Sequence, residues 1–515
     1  MAVSTVPRLM GIDLGAGSLK ATIIGVDGVV LGSASSPVRT ESKQPGWAEQ
    51  DPEEWYQSLC NAVPAAISEA NIDSAEIKAV SFSAGAHTPV LLDKNDRLIR
   101  PAIMWSDQRS GAESRELETQ FGDEIRRIGF NSPNPTWTLP QLKWLKRNEP
   151  DAFARIAKIM VAKDYLRFRI SGAWQTDRVD AVGTLFADAQ SQTWSEELCA
   201  MADIEVDLLP PIVNPVDQVG TVSRRAADDT GLSTSTLVIA GTMDTAVECY
   251  GAGAVKPGQG VIKLATAGTV SVVTDHLAHH NEVIDYPHVL PGFGFTITGT
   301  NSCASAHRWL RDQFFTGHAP GEPETDKTDA FDVMERLAST IPPGSNGLLF
   351  HPYLQGERSP YWDPKLRADF IGITMQHTRG HFVRAMYEGI AFSLLDCLES
   401  LRTQGLQLLS TRIIGGGTRS KTWREIVCNV IGSPIEVPEN GDASYGAALI
   451  AGVGAGVFSS ELDAVDRCVK ITERIEPNRS LHEFYQEVFS IYKESQAKLA
   501  AINHRITDMQ DSIRV

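Results

Sequence analysis

The chain has 515 residues, 42% of them hydrophobic, with 47 basic against 64 acidic side chains and a formal net charge of -17. That length exceeds one hydrophobic core and implies roughly two to four domains. The acidic balance excludes nucleic acid or an anionic membrane as main partner, since both select basic surface, but leaves room for a small anion held by backbone amides.

In chain order, apolar residues 9–14 and 19–24 flank the turn Gly15-Ala16-Gly17-Ser18, with an Asp27-Gly28 turn beyond. The pattern predicts consecutive antiparallel strands joined by tight hairpins. Gly15 and Gly17 let the chain turn sharply and leave amide hydrogens uncovered by side chains, which suits a phosphate. Asp13 would repel that phosphate, so its presence implies a cation between them, most simply magnesium. An ordinary hairpin ending on an acid fits the stretch equally well. A second strand-turn-strand at residues 260–273, with Ala265-Thr266-Ala267-Gly268-Thr269 as its turn, shifts that balance. Two phosphate-type hairpins suggest two similar halves facing one nucleotide.

After a loop at residues 44–52, residues 53–70 have helical apolar spacing, and residues 77–83 and 89–92 read as strands. Trp47 and Gln50 lie on that loop, within reach of a ligand, although a tryptophan there more often packs. Trp105, Asp107 and Arg109 put an aromatic, a carboxylate and a guanidinium within five positions. Such a trio can stack on a sugar and bind its hydroxyls; a surface salt bridge beside a buried indole is the plain alternative. Residues 137–169 are expected to be mainly helical, with Asp177 and Asp180 in a following loop. Residues 237–241 form a buried-strand pattern that runs straight into Asp244, which either caps the next helix or points into a cleft as a base.

The glycines of residues 251–258 mark a linker and the expected domain boundary. His276, His279 and His280 lack the partner spacing of a metal site. Helices are expected at residues 381–402 and 421–431, and around Ala447, Ala448 and Ala451. Between a strand at 412–414 and the helix at 421, Gly415-Gly416-Gly417 allow close approach of a flat ligand such as a nucleoside, or simply a tight turn. An amphipathic helix with a frayed tail closes the chain around Phe484, Val488, Ile491 and Tyr492. The seven scattered cysteines, never spaced CxxC, fit reduced thiols. Met1 to Pro7 has no apolar core of signal-peptide length, and the longest apolar run, residues 446–458, is short of the ~20 needed to span a bilayer. A soluble cytoplasmic protein is the expectation.

With these residues in hand, the chain resembles the FGGY carbohydrate kinases, most of all the xylulokinases among them, over nearly its whole length. The likeness is most specific at Ala368-Asp369-Phe370-Ile371-Gly372-Ile373, followed after seven residues by His381-Phe382-Val383-Arg384-Ala385-Met386-Tyr387-Glu388, which fits the family's carboxyl-terminal signature. Gly46 to Pro52, Lys163-Asp164-Tyr165-Leu166, Gly356-Glu357-Arg358-Ser359-Pro360 and Gly415-Gly416-Gly417 match as well.

The resemblance implies an α/β protein of two ribonuclease-H-like (actin-like) domains flanking a catalytic cleft. Residues 1–252 would carry the sugar site and the base, and residues 253–515 the nucleotide site and a C-terminal helix. ATP would lie against Gly15, Ala16, Gly17, Ser18 and Lys20, against Thr266, Ala267, Gly268 and Thr269, and near Gly415, Gly416, Gly417 and Arg419. Mg2+ would sit by Asp13, and Asp244 occupies the position of the family's general base. Sugar-site candidates are Ala86, His87, Trp105, Asp107, Arg109, Thr245 and Gln50. D-xylulose is the leading substrate, with another ketopentose, polyol or aldonate such as ribulose, glycerol or gluconate as alternatives. A nucleotide-switched binding protein on the same fold is the alternative of another class, and a homodimer is what the family suggests. Three elements depart from the xylulokinase pattern: Ala86 and Thr88 beside His87 where Met-His-Gly is usual, Thr245 where an amide is usual, and Gln141 in place of a lysine.

Overall fold

The computed structural model describes residues 6–315 and 327–513. Apolar alternation and glycine turns produce two large sheets with a shared pattern. The first contains β1 (Arg8–Leu14), β2 (Ser18–Ile24), β3 (Val30–Pro37), β4 (Ile77–Ala84), β5 (Gln218–Thr221) and β6 (Leu237–Ile239), in the order β5-β6-β4-β1-β2-β3. The second contains β7 (Gln259–Leu264), β8 (Gly268–Thr274), β9 (Ile284–Pro287), β10 (Gly294–Thr300), β11 (Ser410–Ile414), β12 (Ile435–Pro438) and β13 (Ile471–Ile475), in the order β9-β10-β8-β7-β11-β12-β13. In the first sheet β1 pairs antiparallel with β2, β2 antiparallel with β3, and β1 parallel with β4, which is parallel to β6. In the second, β7 pairs antiparallel with β8, β8 antiparallel with β10, and β7 parallel with β11, which is parallel to β12. The two expected halves are therefore the same five-strand device used twice.

The central parallel strands are covered on both faces, which is why Leu9, Met10 and Ile12 are fully buried. Helix Pro52–Ala70 covers one face, approaching so closely that a Cβ on Gly32 would lie 2.5 Å from the Ala70 amide nitrogen. The opposite face is covered by Ala443–Gly454, a helix between β12 and β13 of the second sheet: a Cβ on Gly11 would stand 1.9 Å from the Ser444 carbonyl oxygen. Conversely Cys249, on the helix Asp244–Gly251 that follows the first sheet, packs with Val261, Val273 and Ile414 of the second. Each half thus lends a helix to the other.

Residues 137–169 are mainly helical as expected, in Thr138–Asn148, Pro150–Phe153 and most of Ala162–Ser171, with the strand Lys158–Val161 between them pairing with Pro89–Leu92. One expectation needs correction. Asp177 and Asp180 are not on a loop but in and before the short helix Arg178–Gly183, buried around Lys163 Nζ at 2.8 and 3.2 Å. No helix among the described residues is long and apolar enough to cross a membrane.

Candidate active site

The carboxyl ends of the parallel strands, where open α/β sheets collect their ligands, carry nearly every candidate residue. In the first sheet β1 runs into the Gly15 turn, β4 into Gly85-Ala86-His87, and β6 into Gly241 and Asp244. In the second, β7 runs into the Ala265 turn, β11 into Gly415-Gly416-Gly417, and β12 toward Asp442.

The first turn is braced from behind. Gln50 is buried, donating from Nε2 to the Ala16 carbonyl and to Thr40 Oγ1, both at 2.8 Å, and accepting from Trp55 Nε1 at 2.7 Å. Its polar atoms serve the turn rather than a sugar. Neither Gly15 nor Gly17 adopts a positive φ; a Cβ on Gly17 would meet no protein atom within 4 Å. Glycine there keeps a cradle empty, rather than permitting a forbidden turn. Gly416 faces equally open space, whereas Gly415 (φ 94°) and Gly417 pack on Leu264 at the end of β7. In the second turn Thr266 accepts from Arg308 Nη2 at 3.0 Å, and the Gly268 position is filled by Thr300, Cys303 and Leu394. Arg419 is exposed at the edge of the glycine turn.

Charges converge between the two turns. Lys20 Nζ meets Asp442 Oδ2 at 2.8 Å, and Lys263 Nζ meets Glu248 Oε2 at 2.6 Å. Lys263 takes, in β7, the place next to the strand end that Asp13 takes in β1. Burial works against the Lys263 charge, but Glu248 and Asp244 outweigh it and hold its pKa above the ordinary lysine value. The two lysines make their ion pairs with Asp442 and Glu248, so that Asp13 and Asp244 feel Lys263 only at a distance and form no salt bridge among the described residues. Burial raises the Asp13 pKa well above the usual carboxylate range, and Asp244, Glu248 and Asp442 push it further. Asp13 Oδ1 is buried with no hydrogen-bond partner.

That orphaned oxygen and the two carboxyl groups without a salt bridge fit a divalent cation. Among the described residues no three acidic, imidazole or thiol side chains converge to cage a metal. This suits Mg2+, which commonly takes one or two carboxylates and completes its shell with water and substrate phosphates.

Asp244 sits in the first turn of its helix, with Met243 rather than Asp244 at the cap position. Its Oδ1 accepts from the Thr245 amide at 2.6 Å and from Thr245 Oγ1 at 3.1 Å, while Oδ2 makes no hydrogen bond among the described residues. The carboxylate therefore does not cap the helix. Thr245, shorter than an amide side chain, is turned onto Asp244.

On the sugar side the structure separates residues that lie together in sequence. Trp105 remains 38% exposed, its indole over Gly85, where a Cβ would come within 2.8 Å of the ring. Asp107 and Arg109 have no exposed side-chain surface. Arg109 forks onto Asp107, with Nε to Oδ1 at 2.9 Å and Nη2 to Oδ2 at 2.7 Å, reaches Glu49 and stacks on Trp47. Neither expected alternative for the trio holds: the ion pair is buried and the indole is open, so Asp107 and Arg109 have no polar atom left for a sugar. His87, next to Ala86, is buried against Trp137 with ring centroids 4.0 Å apart, and its Nε2 lies 2.7 Å from the Tyr286 hydroxyl. Burial pushes its pKa down to about 3, which keeps the imidazole neutral. Tyr286 comes from β9, so this contact joins the two halves.

Profiles of the N-terminal and C-terminal domains of the FGGY family of carbohydrate kinases match residues 8–251 and 264–455. The chain belongs to this family. The kinase is 31% identical to a xylulose kinase from Bacillus subtilis (strain 168), over 94% of this chain and 96% of that protein. Among solved structures it is similar to a "xyloylose kinase" from Brucella ovis, with TM-score 0.85 and 31% identity over 96% of this chain and all of that one. A xylulose kinase from Rhodospirillum rubrum is similar with TM-score 0.85 and 28% identity, again over 96% of this chain and all of that one. The fold is the two-domain actin-like one, and the activity class is ATP-dependent phosphorylation of a carbohydrate.

Sequence reasoning missed Glu248, Lys263, Asp442, Tyr286 and Arg308. Glu248 and Lys263 bear helical and strand spacing pointing the same way as Asp244 and Asp13, a signal that was available. Asp442 and Tyr286 gave none, since their partners are distant in sequence.

Proposed function

We propose that this kinase transfers the γ-phosphoryl group of ATP to D-xylulose, giving D-xylulose 5-phosphate. The observation that carries the reading is Asp244: a carboxylate with one oxygen tied to Thr245 and the other free, at the strand exit and near enough to Asp13 and Lys263, beside the two turns, to interact with both electrostatically. The xylulose kinase relatives supply the sugar.

The first 252 residues hold the sugar and the base, and residues 253–515 hold most of the nucleotide. Asp244 Oδ2 accepts the proton of the sugar hydroxyl as that oxygen attacks the γ-phosphorus, which requires the hydroxyl within ~3 Å in the closed state. Backbone amides of residues 15–18 and 266–269 cradle the phosphates, with Thr266 and Thr269 adding hydroxyls. Gly416 leaves room for the nucleoside, and Arg419 lies beside it. Lys20 acts indirectly, holding Asp442 and hence the helix it caps. Mg2+ beside Asp13, when bound, offsets charge on the phosphates. Trp105 stacks on the sugar, and neutral His87 with Ala86 and Thr245 lines its far side. A cytoplasmic homodimer belongs to the same reading.

The test is ADP release from Mg-ATP with D-xylulose, D-ribulose, glycerol and gluconate, with Asp244→Ala as control. D-xylulose should stimulate turnover far above the other three, and the variant should bind nucleotide without responding. Strong preference for another acceptor would replace D-xylulose; sugar-dependent turnover by Asp244→Ala would remove Asp244 from its role.

A further inference from the structure

We propose that Arg358 is a further catalytic residue of this kinase, its guanidinium engaging the phosphoryl group in transit from nucleotide to acceptor. It lies in Gly356-Glu357-Arg358-Ser359-Pro360, a stretch to which the site described above gives no task.

The loop is fastened to the end of β10. Glu357 is buried and accepts from Thr300 Oγ1 at 2.6 Å, the Asn301 amide at 2.9 Å and the Arg358 amide at 2.7 Å. The Ser359 amide donates to the Gly299 carbonyl at 3.1 Å. The acid next to Arg358 is thus spent on hydroxyl and backbone, not on the guanidinium.

The guanidinium itself is nearly idle. Its one side-chain hydrogen bond among the described residues, Nη2 to the Thr300 carbonyl, is long at 3.5 Å, and its Nε is buried with no partner. Arg178, whose Nε and Nη1 are likewise buried without a partner, still grips the His288 and Val289 carbonyls through Nη2 at 2.6 and 2.7 Å, whereas Arg358 has only the one long bond. A half-buried guanidinium with a single long hydrogen bond, its charge favoured by Glu357 alone among the acids, has donors left for an anion.

Its place says which one. A Cβ on Gly299 would lie 3.0 Å from Arg358 Nη2 and 3.2 Å from Thr269 Cγ2, so the guanidinium flanks the second phosphate turn. Tyr286, whose hydroxyl contacts His87, also interacts electrostatically with Arg358. Arg358 therefore lies beside the second phosphate turn.

During transfer the acceptor oxygen forms a bond to the γ-phosphorus, its proton goes to Asp244, and the bond from phosphorus to the bridging oxygen breaks with its electron pair leaving on ADP. Negative charge is then spread over the equatorial oxygens, which a planar fork of donors matches. This inference rests on the kinase reading of the two turns and not on the identity of the sugar.

The experiment compares the wild type with Arg358→Gln and Arg358→Lys for equilibrium binding of Mg-ATP and ADP without sugar, for turnover with D-xylulose, and for thermal melting. Arg358→Gln should weaken Mg-ATP binding about tenfold while ADP affinity stays within about twofold. Its kcat should fall about 10²–10³-fold, as when one preorganised charge donor is removed, and lysine should restore part of it. Equal weakening for ATP and ADP, or kcat within about threefold of wild type, overturns the proposal. Should the glutamine variant fail to fold, Arg358→Lys decides: a lower kcat at unchanged melting temperature and ADP affinity supports the role, and an unchanged kcat overturns it. A wild type that binds nucleotide but does not turn over D-xylulose counts against the sugar assignment, while the ATP-to-ADP comparison still decides Arg358.

Discussion

Gly251 and Gly446 meet backbone to backbone. A Cβ on Gly251 would stand 2.9 Å from the Gly446 Cα, and one on Gly446 would stand 2.1 Å from the Val247 carbonyl oxygen. Each glycine lies on a helix that leaves the carboxyl edge of one sheet and packs on the other. The same crossing brings Asp244, at the start of the first helix, toward Asp442, which caps the second. Two bare backbones in contact let helices cross at short distance, so the position of these two carboxylates depends on the absence of two methyl groups.

Gly446→Ala should therefore destabilise the protein. The added methyl has backbone, not a flexible side chain, in its way, and overpacking of that kind costs about 1–3 kcal/mol, with this contact at the upper end. Urea unfolding would show a lower midpoint with an unchanged slope. A variant as stable as the parent would mean that the crossing is looser than described.

Gly17→Ala and Gly416→Ala should behave in the opposite way. Neither position has a protein atom within 4 Å of the added Cβ, and neither has a positive φ. Melting temperature should stay within about 1 °C, matching the small effect of changes at unobstructed positions, while Mg-ATP affinity falls because the methyl occupies the ligand's space. Titration calorimetry reads the second effect; undiminished nucleotide binding in both variants would move the nucleotide away from these turns.

What the sequence revealed follows from how local each signal is. Both hairpins, the strand before Asp244 and the helix Lys421–Ile431 depend on contiguous patterning, and they appear as expected. The trio of Trp105, Asp107 and Arg109 misled because proximity in sequence says nothing about direction: Arg109 finds Glu49, sixty residues away, and turns inward with Asp107. The pairing of Lys20 with Asp442 spans 422 residues and depends on the helix exchange, which no local pattern announces.

Asp13→Asn should stabilise the ligand-free protein while abolishing its response to Mg-ATP. Burial, with Asp244, Glu248 and Asp442 adding to it, raises the folded pKa of Asp13 above its unfolded value. The native state thus keeps a proton that the unfolded chain gives up, so ionising Asp13 costs stability as pH rises through that window, and the cost is absent at lower pH. The variant should melt higher than the parent at pH 8, with the gap closing toward pH 4. Mg-ATP should raise the melting temperature of the parent but barely that of the variant, and turnover should fall at least about a hundredfold if the carboxylate holds the cation. An equal Mg-ATP shift in both proteins would take the cation away from Asp13.

Acid should weaken the protein through its buried imidazoles. His87 and His288 are each pushed down to about 3, chiefly by burial. His87 faces the Tyr286 hydroxyl, and His288 Nε2 lies 3.1 Å from the Ala254 carbonyl, which fixes it as a donor there. With unfolded values near 6.5, the unfolded chain gains protons that the native state refuses. The stability this gives is complete above about pH 6.5 and is lost as pH falls toward 3, each ring adding up to about 1.4 kcal/mol per pH unit. Unfolding free energy measured between pH 7 and 5 should fall, and His288→Gln should flatten that slope by close to one proton. A variant with the parent's slope would show that the His288 ring is already charged in the native state. Because His87 stays neutral throughout, the sugar KM should carry no histidine step from it between pH 5.5 and 8; Tyr286→Phe, by removing the hydroxyl, should raise that KM without introducing one. A step near pH 6.5 in the parent would place an open, titrating imidazole at the sugar instead of the buried neutral one.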